Sequence, residues 1–323
     1  GDTAGSLLFK HLIDAARRLA YRGYDSVGCA TLHADCTIDL RKDVGKVDDV
    51  AARLDFAAMT GRRGIVQLRW ATFGVPSQIN AQPHLDSDGG MVGAHNGNVV
   101  NNVELRQQFN AESMIVRSMN DGESCVHAVE RYLRRGDDMV EAIRRAYDDL
   151  EGDYAFVIGR ADDDRLYAIK KGSGLVVGLA AGAACVSSDL PSILPLTKRI
   201  VRVDDGEIVI LQPDRVELVR AADGAIMTFV PAGPFLLGRP EADPFAQPHE
   251  TPQRLVSLSS FFIDVYPVAC EQYRLFIEAG GYAREEYWLP EGWAWVRQHA
   301  VSAPLSWDHP SFRDPRAPVS GVS

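Results

Sequence analysis

The order of apolar patterns predicts an α+β fold: two facing sheets with helices outside them, followed by a second, smaller α+β unit. Three observations carry this. A block of strand-like segments, a pair of amphipathic helices and another block of strands succeed one another, where a parallel sheet would alternate strand and helix. At 323 residues the chain is too long for one ordinary core. Beyond Ala221-Ala222-Asp223-Gly224-Ala225 the texture changes: proline and aromatic residues become dense, and every tryptophan but Trp70 lies past residue 287. Boundaries are therefore expected at 1–220 for the first unit, 221–226 for a linker and 227–323 for the second unit.

Within the first unit, Leu8, Leu12, Ala16 and Leu19 recur at helical spacing, with Arg17 and Arg18 on the other face. Tyr21-Arg22-Gly23-Tyr24-Asp25-Ser26 is a turn pivoting on glycine that leads into a strand through Ala30 and Leu32. Ile65-Val66-Gln67-Leu68 reads as a buried strand ending at Arg69, and Met91-Val92-Gly93-Ala94 as one ending at His95. Residues 123–133 and 139–150 are the helix pair, the second with a stripe of Met139, Val140, Ile143, Ala146, Tyr147 and Leu150. Strands are expected at 154–158, 166–169, 175–177, 184–187, 200–203, 207–211 and 216–220, separated by Gly, Asp and Ser turns. In the second unit, a strand at 227–230, a Pro-Ala-Gly-Pro turn and Phe235-Leu236-Leu237-Gly238 come first, with another strand expected at 254–265 and a helix at 269–279, and with little periodicity in the last 43 residues.

Composition narrows the function. Apolar and charged fractions of 46% and 24% are those of a soluble globular protein, and no apolar run approaches the roughly 20 residues of a membrane span. A net charge of −10 argues against a nucleic-acid surface and for a cytosolic enzyme or small-ligand binder. The five cysteines, Cys29, Cys36, Cys125, Cys185 and Cys270, form neither a disulfide framework nor a C-x-x-C pattern and read as reduced, mostly buried thiols.

The chemistry-bearing groups cluster at the two expected strand exits. Arg69 can clamp a carboxylate through paired hydrogen bonds, and Asp121 can take the ammonium of the same molecule. Asn96 and Gly97 combine an amide donor with an unhindered backbone N–H, the two parts of an oxyanion hole. The implied ligand is an amino acid with a side-chain carbonyl, glutamine being the obvious candidate. Each feature alone has a plainer meaning: an arginine after a strand is commonly a surface ion pair, and Asn-Gly is commonly a hairpin turn. His84 and His95 read as hydrogen-bonded structural histidines, and Trp293, Trp295 and Trp307 as core aromatics of the second unit. His249, His299 and His309 lack the spacing of a metal site, so no metal is assigned.

Taken together, Tyr21-Arg22-Gly23-Tyr24-Asp25-Ser26, Gly45-Lys46-Val47, Arg69-Trp70-Ala71-Thr72, Asn80-Ala81-Gln82-Pro83-His84, His95-Asn96-Gly97, Leu150-Glu151-Gly152 and Ser188-Asp189 resemble the glutaminase domain of glutamine-fructose-6-phosphate aminotransferases. These are class II amidotransferases of the N-terminal-nucleophile superfamily, and the resemblance implies a four-layer αββα sandwich. It also implies that an N-terminal cysteine attacks the glutamine amide while its own α-amino group, which titrates near neutrality, serves as base. Arg69 would bind the α-carboxylate, Asp121 the α-ammonium, and Asn96 and Gly97 the oxyanion. Trp70, Thr72 and Phe73 would line or gate the pocket. The glutaminase domain needs no cofactor; its partners would be glutamine and an ammonia-accepting domain or subunit, and a homo-oligomer is compatible with the family.

The sequence departs from the family in three places. The opening Cys-Gly-Ile-Val-Gly strand has no counterpart, so the nucleophile is expected to lie upstream of Gly1 or to have been lost, and none of the five cysteines replaces it. Family histidines correspond to Phe73 and Gln82. The Thr-Asp-Thr-Glu signature reads Asn120-Asp121-Gly122-Glu123, which is expected to loosen the frame of the acid.

Residues 227–238, Phe261-Phe262-Ile263-Asp264, Tyr266-Pro267-Val268, Gln272-Tyr273 and Gly292-Trp293 resemble the opening of the formylglycine-generating or sulfatase-modifying family. That implies the start of a C-type-lectin-like α+β domain, whose complete form could hold a metal of unassigned identity. The expected activity is hydrolysis of glutamine to glutamate and ammonia. The alternatives are a γ-glutamyl amidase fused to a metal-dependent oxidative domain, as in ergothioneine-like pathways, and a non-catalytic glutamine sensor.

Overall fold

The structure is a computed structural model that describes residues 3–70, 74–213, 215–307, 309 and 314–322. It divides into two compact units, Gly1–Gly224 and Ala225–Ser323.

In the first unit, α1 (Thr3–Leu19) leads through the Tyr21–Asp25 turn to β1 (Ser26–Leu32), β2 (Ile38–Val44), α2 (Val47–Arg53) and β3 (Arg63–Arg69). These strands form an antiparallel sheet ordered β2-β1-β3. A second sheet contains β4 (His84–Leu85), β5 (Met91–Val99), β6 (Gly152–Arg160), β7 (Leu166–Lys171), β11 (Glu207–Leu211) and β12 (Val216–Arg220), running β12-β11-β7-β6-β5-β4. Between β5 and β6 lie α3 (Asn102–Ala111), α4 (Gly122–Arg134) and α5 (Met139–Asp149). A small third sheet pairs β8 (Val176–Ala180) with β9 (Ala183–Ser187) and β10 (Ile200–Arg202).

The period of two along each strand builds the layers. All seven residues of β1 are buried. Val27 and Cys29 pack beneath Ile13 and Ala16 of α1, with Val47, Val50, Phe56 and Met59. The alternate residues Ala30 and Leu32 pack with Ile65 of β3 and with Val92 and Ala94 of β5, which brings the two sheets face to face. Each fully buried Phe or Leu here contributes about 1.5–3 kcal/mol. On the outer face of the second sheet, a Cβ on Gly93 would sit 3.0 Å from Val126 of α4, and Tyr147 of α5 meets Tyr154 of β6 edge-on at 6.4 Å. Helix–sheet–sheet–helix is thus the αββα sandwich expected. The start of α5 is fixed by Asp138, whose carboxylate accepts the Glu141 N–H at 2.9 Å.

Several expectations are corrected. β5 does not end at His95: it pairs with β6 as far as Val99↔Gly152, so His95-Asn96-Gly97 lies inside a strand rather than at its exit or in a hairpin turn. Gly97 makes this workable, because at φ 103° a Cβ would stand 2.0 Å from the Asp153 carbonyl oxygen. The elements β2, α2 and α3 carry weak apolar patterns and were not expected. In the second unit, the single strand expected over 254–265 is two. β15 (Arg254–Leu258) pairs with β14 (Gly233–Leu237), and β16 (Phe261–Asp264) pairs with β13 (Ile226–Val230), the break falling at Ser259-Ser260. α6 (Cys270–Glu278) turns Tyr273 and Phe276 to one face, their rings 5.4 Å apart. The terminal stretch holds an unexpected helix, α7 (Pro290–His299), begun by a proline in its first turn. Of the tryptophans expected in a core, Trp293 and Trp307 are only half-buried, and Trp295 is exposed against His299 at 4.9 Å.

Candidate active site

Arg69 closes β3 and is buried, 3% exposed, with its NH2 donating to the Gly74 carbonyl at 3.1 Å. The Tyr21–Asp25 turn lies against this strand end: the Asp25 N–H donates to the Arg69 carbonyl at 3.2 Å, and a Cβ on Gly23 would stand 2.7 Å from the Arg69 carbonyl carbon. The turn is tied down by Asp189, which accepts from Tyr21 and Arg22 and caps Leu190, so the Ser188-Asp189 motif meets the Tyr-Arg-Gly-Tyr motif in space. Trp70 is exposed beside Tyr24, ring centroids 5.8 Å apart. Thr72 and Phe73 lie outside the described residues.

Asp121, at the head of α4, is 1% exposed, and its Oδ2 accepts from the Val99 N–H at 3.0 Å and from His95 Nε2 at 3.2 Å. Among the described residues no other residue donates to its second oxygen, and its own backbone N–H adds to the hold on the carboxylate. Burial works to raise the Asp121 pKa, but the His95 hydrogen bond and charge and the Val99 N–H outweigh it and hold the carboxyl below its ordinary value. Burial lowers the Arg69 pKa, while the charges of Asp121 and Asp25 pull it back up. The cation and the acid are thus near enough to feel each other's charge. The frame of Asp121 is not loosened by the glycine that follows it. A Cβ at Gly122 would stand 2.2 Å from His95 Nδ1 and 2.7 Å from Gln82 Oε1, so these two side chains fill the space a larger residue would need. Asn120 completes the frame, accepting the Gly122 N–H at 3.0 Å and paired with His84 Nε2 at 3.0 Å. His84, fully desolvated and near Lys42, stays well below the ordinary histidine value, and His84 and His95 are both buried and hydrogen-bonded.

Two residues with no assigned role in the sequence reading organise the strand that carries Asn96. The pairing of β4 with β5 runs His84↔Gly93 and Leu85↔Val92 and does not continue to Pro83. The next rung would oppose residue 82 to residue 95, and there the Gln82 side chain replaces the missing backbone. Its Oε1 accepts the His95 N–H at 2.7 Å and its Nε2 donates to the His95 carbonyl at 3.1 Å. Gln67 reaches across from β3, where residues 65, 67 and 69 share the face toward β5, and its Nε2 donates to both the His95 carbonyl and Asn96 Oδ1, each at 2.8 Å.

A second polar cluster lies behind the site on α4. Glu123 accepts from the Ser118 and Arg117 N–H groups and the Ser118 hydroxyl, and His127 sits between Glu123 at 3.7 Å and Glu130 at 2.7 Å. Its spacing, i, i+4 and i+7, is legible in the sequence. Lys42 holds the 79–83 segment through the Ala81 and Pro83 carbonyls at 2.6 and 2.9 Å, burial pushing its amine down to about 8. Burial drives the Cys29 thiol up to about 12 and the Cys125 thiol well above its ordinary value, which makes both poor nucleophiles. Among the described residues no group of three or more His, Cys, Asp or Glu side chains is placed to hold a metal ion, and no helix is long and apolar enough to cross a membrane.

Residues 68–195 match the glutamine amidotransferase domain family, and residues 215–323 match the sulfatase-modifying factor enzyme 1-like domain family. Similar curated proteins include the glutamine–fructose-6-phosphate aminotransferase (isomerizing) of Methanothermobacter thermautotrophicus, 42% identical over 204 residues, covering 63% of this chain and 34% of the relative. That of Thermococcus kodakarensis is 38% identical over 217 residues, covering 67% and 36%. The chain spans about a third of the length of the curated relatives it matches. Among solved structures, the glutamine phosphoribosylpyrophosphate amidotransferase from B. subtilis superposes with a TM-score of 0.57 at 23% identity, covering 66% of this chain and 46% of that one. The fold of the first unit is that of the N-terminal-nucleophile amidotransferases. The chain carries a class II glutamine amidotransferase domain, similar to the glutaminase domain of the aminotransferases, followed by a sulfatase-modifying-factor-type domain.

Proposed function

We propose that the protein hydrolyses glutamine to glutamate and ammonia through a γ-glutamyl thioester on an N-terminal cysteine outside this numbering, and passes the ammonia to an acceptor domain or partner. What supports the reading is a buried guanidinium closing β3 and a buried carboxylate at the head of α4 whose charge acts on that guanidinium, with a strand that holds Asn96 by its amide oxygen. Arg69 would grip the α-carboxylate and the second oxygen of Asp121 the α-ammonium. The thiolate would add to the side-chain carbonyl carbon, and the oxyanion would be received by the Asn96 amide and the Gly97 N–H, worth about 3 kcal/mol for one such donor. Collapse breaks the C–N bond, the proton taken from the thiol by the α-amine going to the departing ammonia; water then cleaves the thioester.

The test is a glutamine-analogue electrophile applied to the full-length protein, followed by intact mass. One adduct on an N-terminal cysteine, slowed severely by Arg69→Ala in a folded variant, is expected. No adduct would leave a glutamine sensor instead. The sulfatase-modifying-type match over 215–323 favours one second reading, cleavage of a larger γ-glutamyl amide. Faster turnover of a γ-glutamyl peptide than of free glutamine would select it.

A further inference from the structure

We propose that Gln67 is a positioning residue for the oxyanion-binding amide: it fixes which end of the Asn96 side chain faces the reacting carbonyl. The inference rests on the glutaminase reading and adds to it a residue outside the ligand-binding set.

The His95 carbonyl is an acceptor only, so the Gln67 atom 2.8 Å from it is the amide nitrogen. That same nitrogen is 2.8 Å from the Asn96 side chain, so the Asn96 atom it meets is Oδ1. With its oxygen committed, the Asn96 amide turns its NH2 away from Gln67, and among the described residues that NH2 has no hydrogen-bond partner. A primary amide flipped about its last torsion would present an acceptor to a developing negative charge. Gln67 removes that choice, and Gln82 fixes the His95 carbonyl from which Gln67 takes its own orientation. Neither glutamine titrates, so the orientation holds over the whole working pH range.

The experiment compares Gln67→Met and Gln67→Glu with wild type in the full-length protein, reading kcat and KM for glutamine from pH 5 to 8, with thermal unfolding to establish folding. Loss of one oxyanion donor costs about 10²–10³ in kcat elsewhere. Gln67→Met is therefore expected to lower kcat ten- to a hundredfold with KM within twofold. Gln67→Glu keeps the shape but, once ionised, can only accept, so it draws the Asn96 NH2 toward itself. Its kcat relative to wild type should be lowest at pH 8 and recover toward pH 5, where the protonated acid again donates. A kcat ratio for Gln67→Glu that is flat with pH, or a loss in both variants carried by KM alone, would overturn the proposal. Asn96→Ala separates this failure from failure of the parent reading. If Asn96→Ala loses kcat while both Gln67 variants keep it, the positioning role is wrong and the oxyanion assignment stands; if Asn96→Ala keeps kcat, the assignment itself falls.

Discussion

Replacing Gly122 by alanine tests the packing that holds Asp121 in place. The added Cβ would stand 2.2 Å from His95 Nδ1, 2.7 Å from Gln82 Oε1 and 2.8 Å from Asn120 Oδ1, more than an ångström short of ordinary contact at the first of these. None of the three neighbours is a free surface chain: His95 is bound to Asp121, Gln82 to the His95 backbone, and Asn120 to His84. Relief must come from a shift of the α4 start, which carries Asp121 with it. Overpacking of this kind costs about 1–3 kcal/mol. Alanine's better helix propensity returns at most about 1 kcal/mol. The net loss of up to about 2 kcal/mol lowers Tm by up to about 8 °C for a unit of this size. Function should suffer more, since a misplacement near 1 Å can cost about 10²-fold in rate. A drop in kcat/KM of ten- to a hundredfold is expected in steady-state glutaminase kinetics. Unchanged Tm together with unchanged kcat/KM would refute the idea that Gln82, His95 and Gly122 form one packed unit.

Asp121→Asn should raise KM for glutamine by about 10- to 100-fold, the worth of one charge-assisted contact of roughly 1.5–3 kcal/mol, with a smaller change in kcat; isothermal titration against a non-hydrolysable glutamine analogue checks it. Asn96→Ala should lower kcat about 100-fold while KM stays within twofold, read from the same kinetics. The pH dependence of stability has a defined sign at Glu123. Burial works to raise its pKa, but His127 at 3.7 Å and hydrogen bonds from the Arg117 and Ser118 N–H groups hold it well below the ordinary 4.5. A group depressed in the folded state stabilises fully above its unfolded pKa and loses that contribution as pH falls. Urea midpoints should therefore decline from 4.5 downward more steeply for wild type than for Glu123→Gln, and parallel curves would contradict this.

The αββα layering was legible from the order of the elements, a block of strands, a helix pair and another block of strands; Val27 and Cys29 belong to one layer boundary, Ala30 and Leu32 to the other. The end of β3 at Arg69 was legible because the run Ile65-Val66-Gln67-Leu68 stops there. The continuation of β5 through Asn96-Gly97 was not, since that dipeptide signals a turn locally and only pairing with the distant β6 overrides it. Gln67 and Gln82 were opaque for a different reason. An amide side chain has no periodic signature, and what these two do depends on a sheet register that joins segments far apart in sequence. In the second unit, strand content was legible, but the division at Ser259-Ser260 depends on which neighbour each half pairs with.

The pleat of β5 has a consequence for how this candidate site can vary. Neighbouring side chains on a strand leave on opposite sides, so His95 meets the acid on α4 while Asn96, one residue on, meets the opposing sheet. Inserting or deleting a single residue upstream in that strand would send each side chain to the wrong layer and break both sets of contacts at once. Substitution can tune these contacts one group at a time, but a change of length in the strand removes them together.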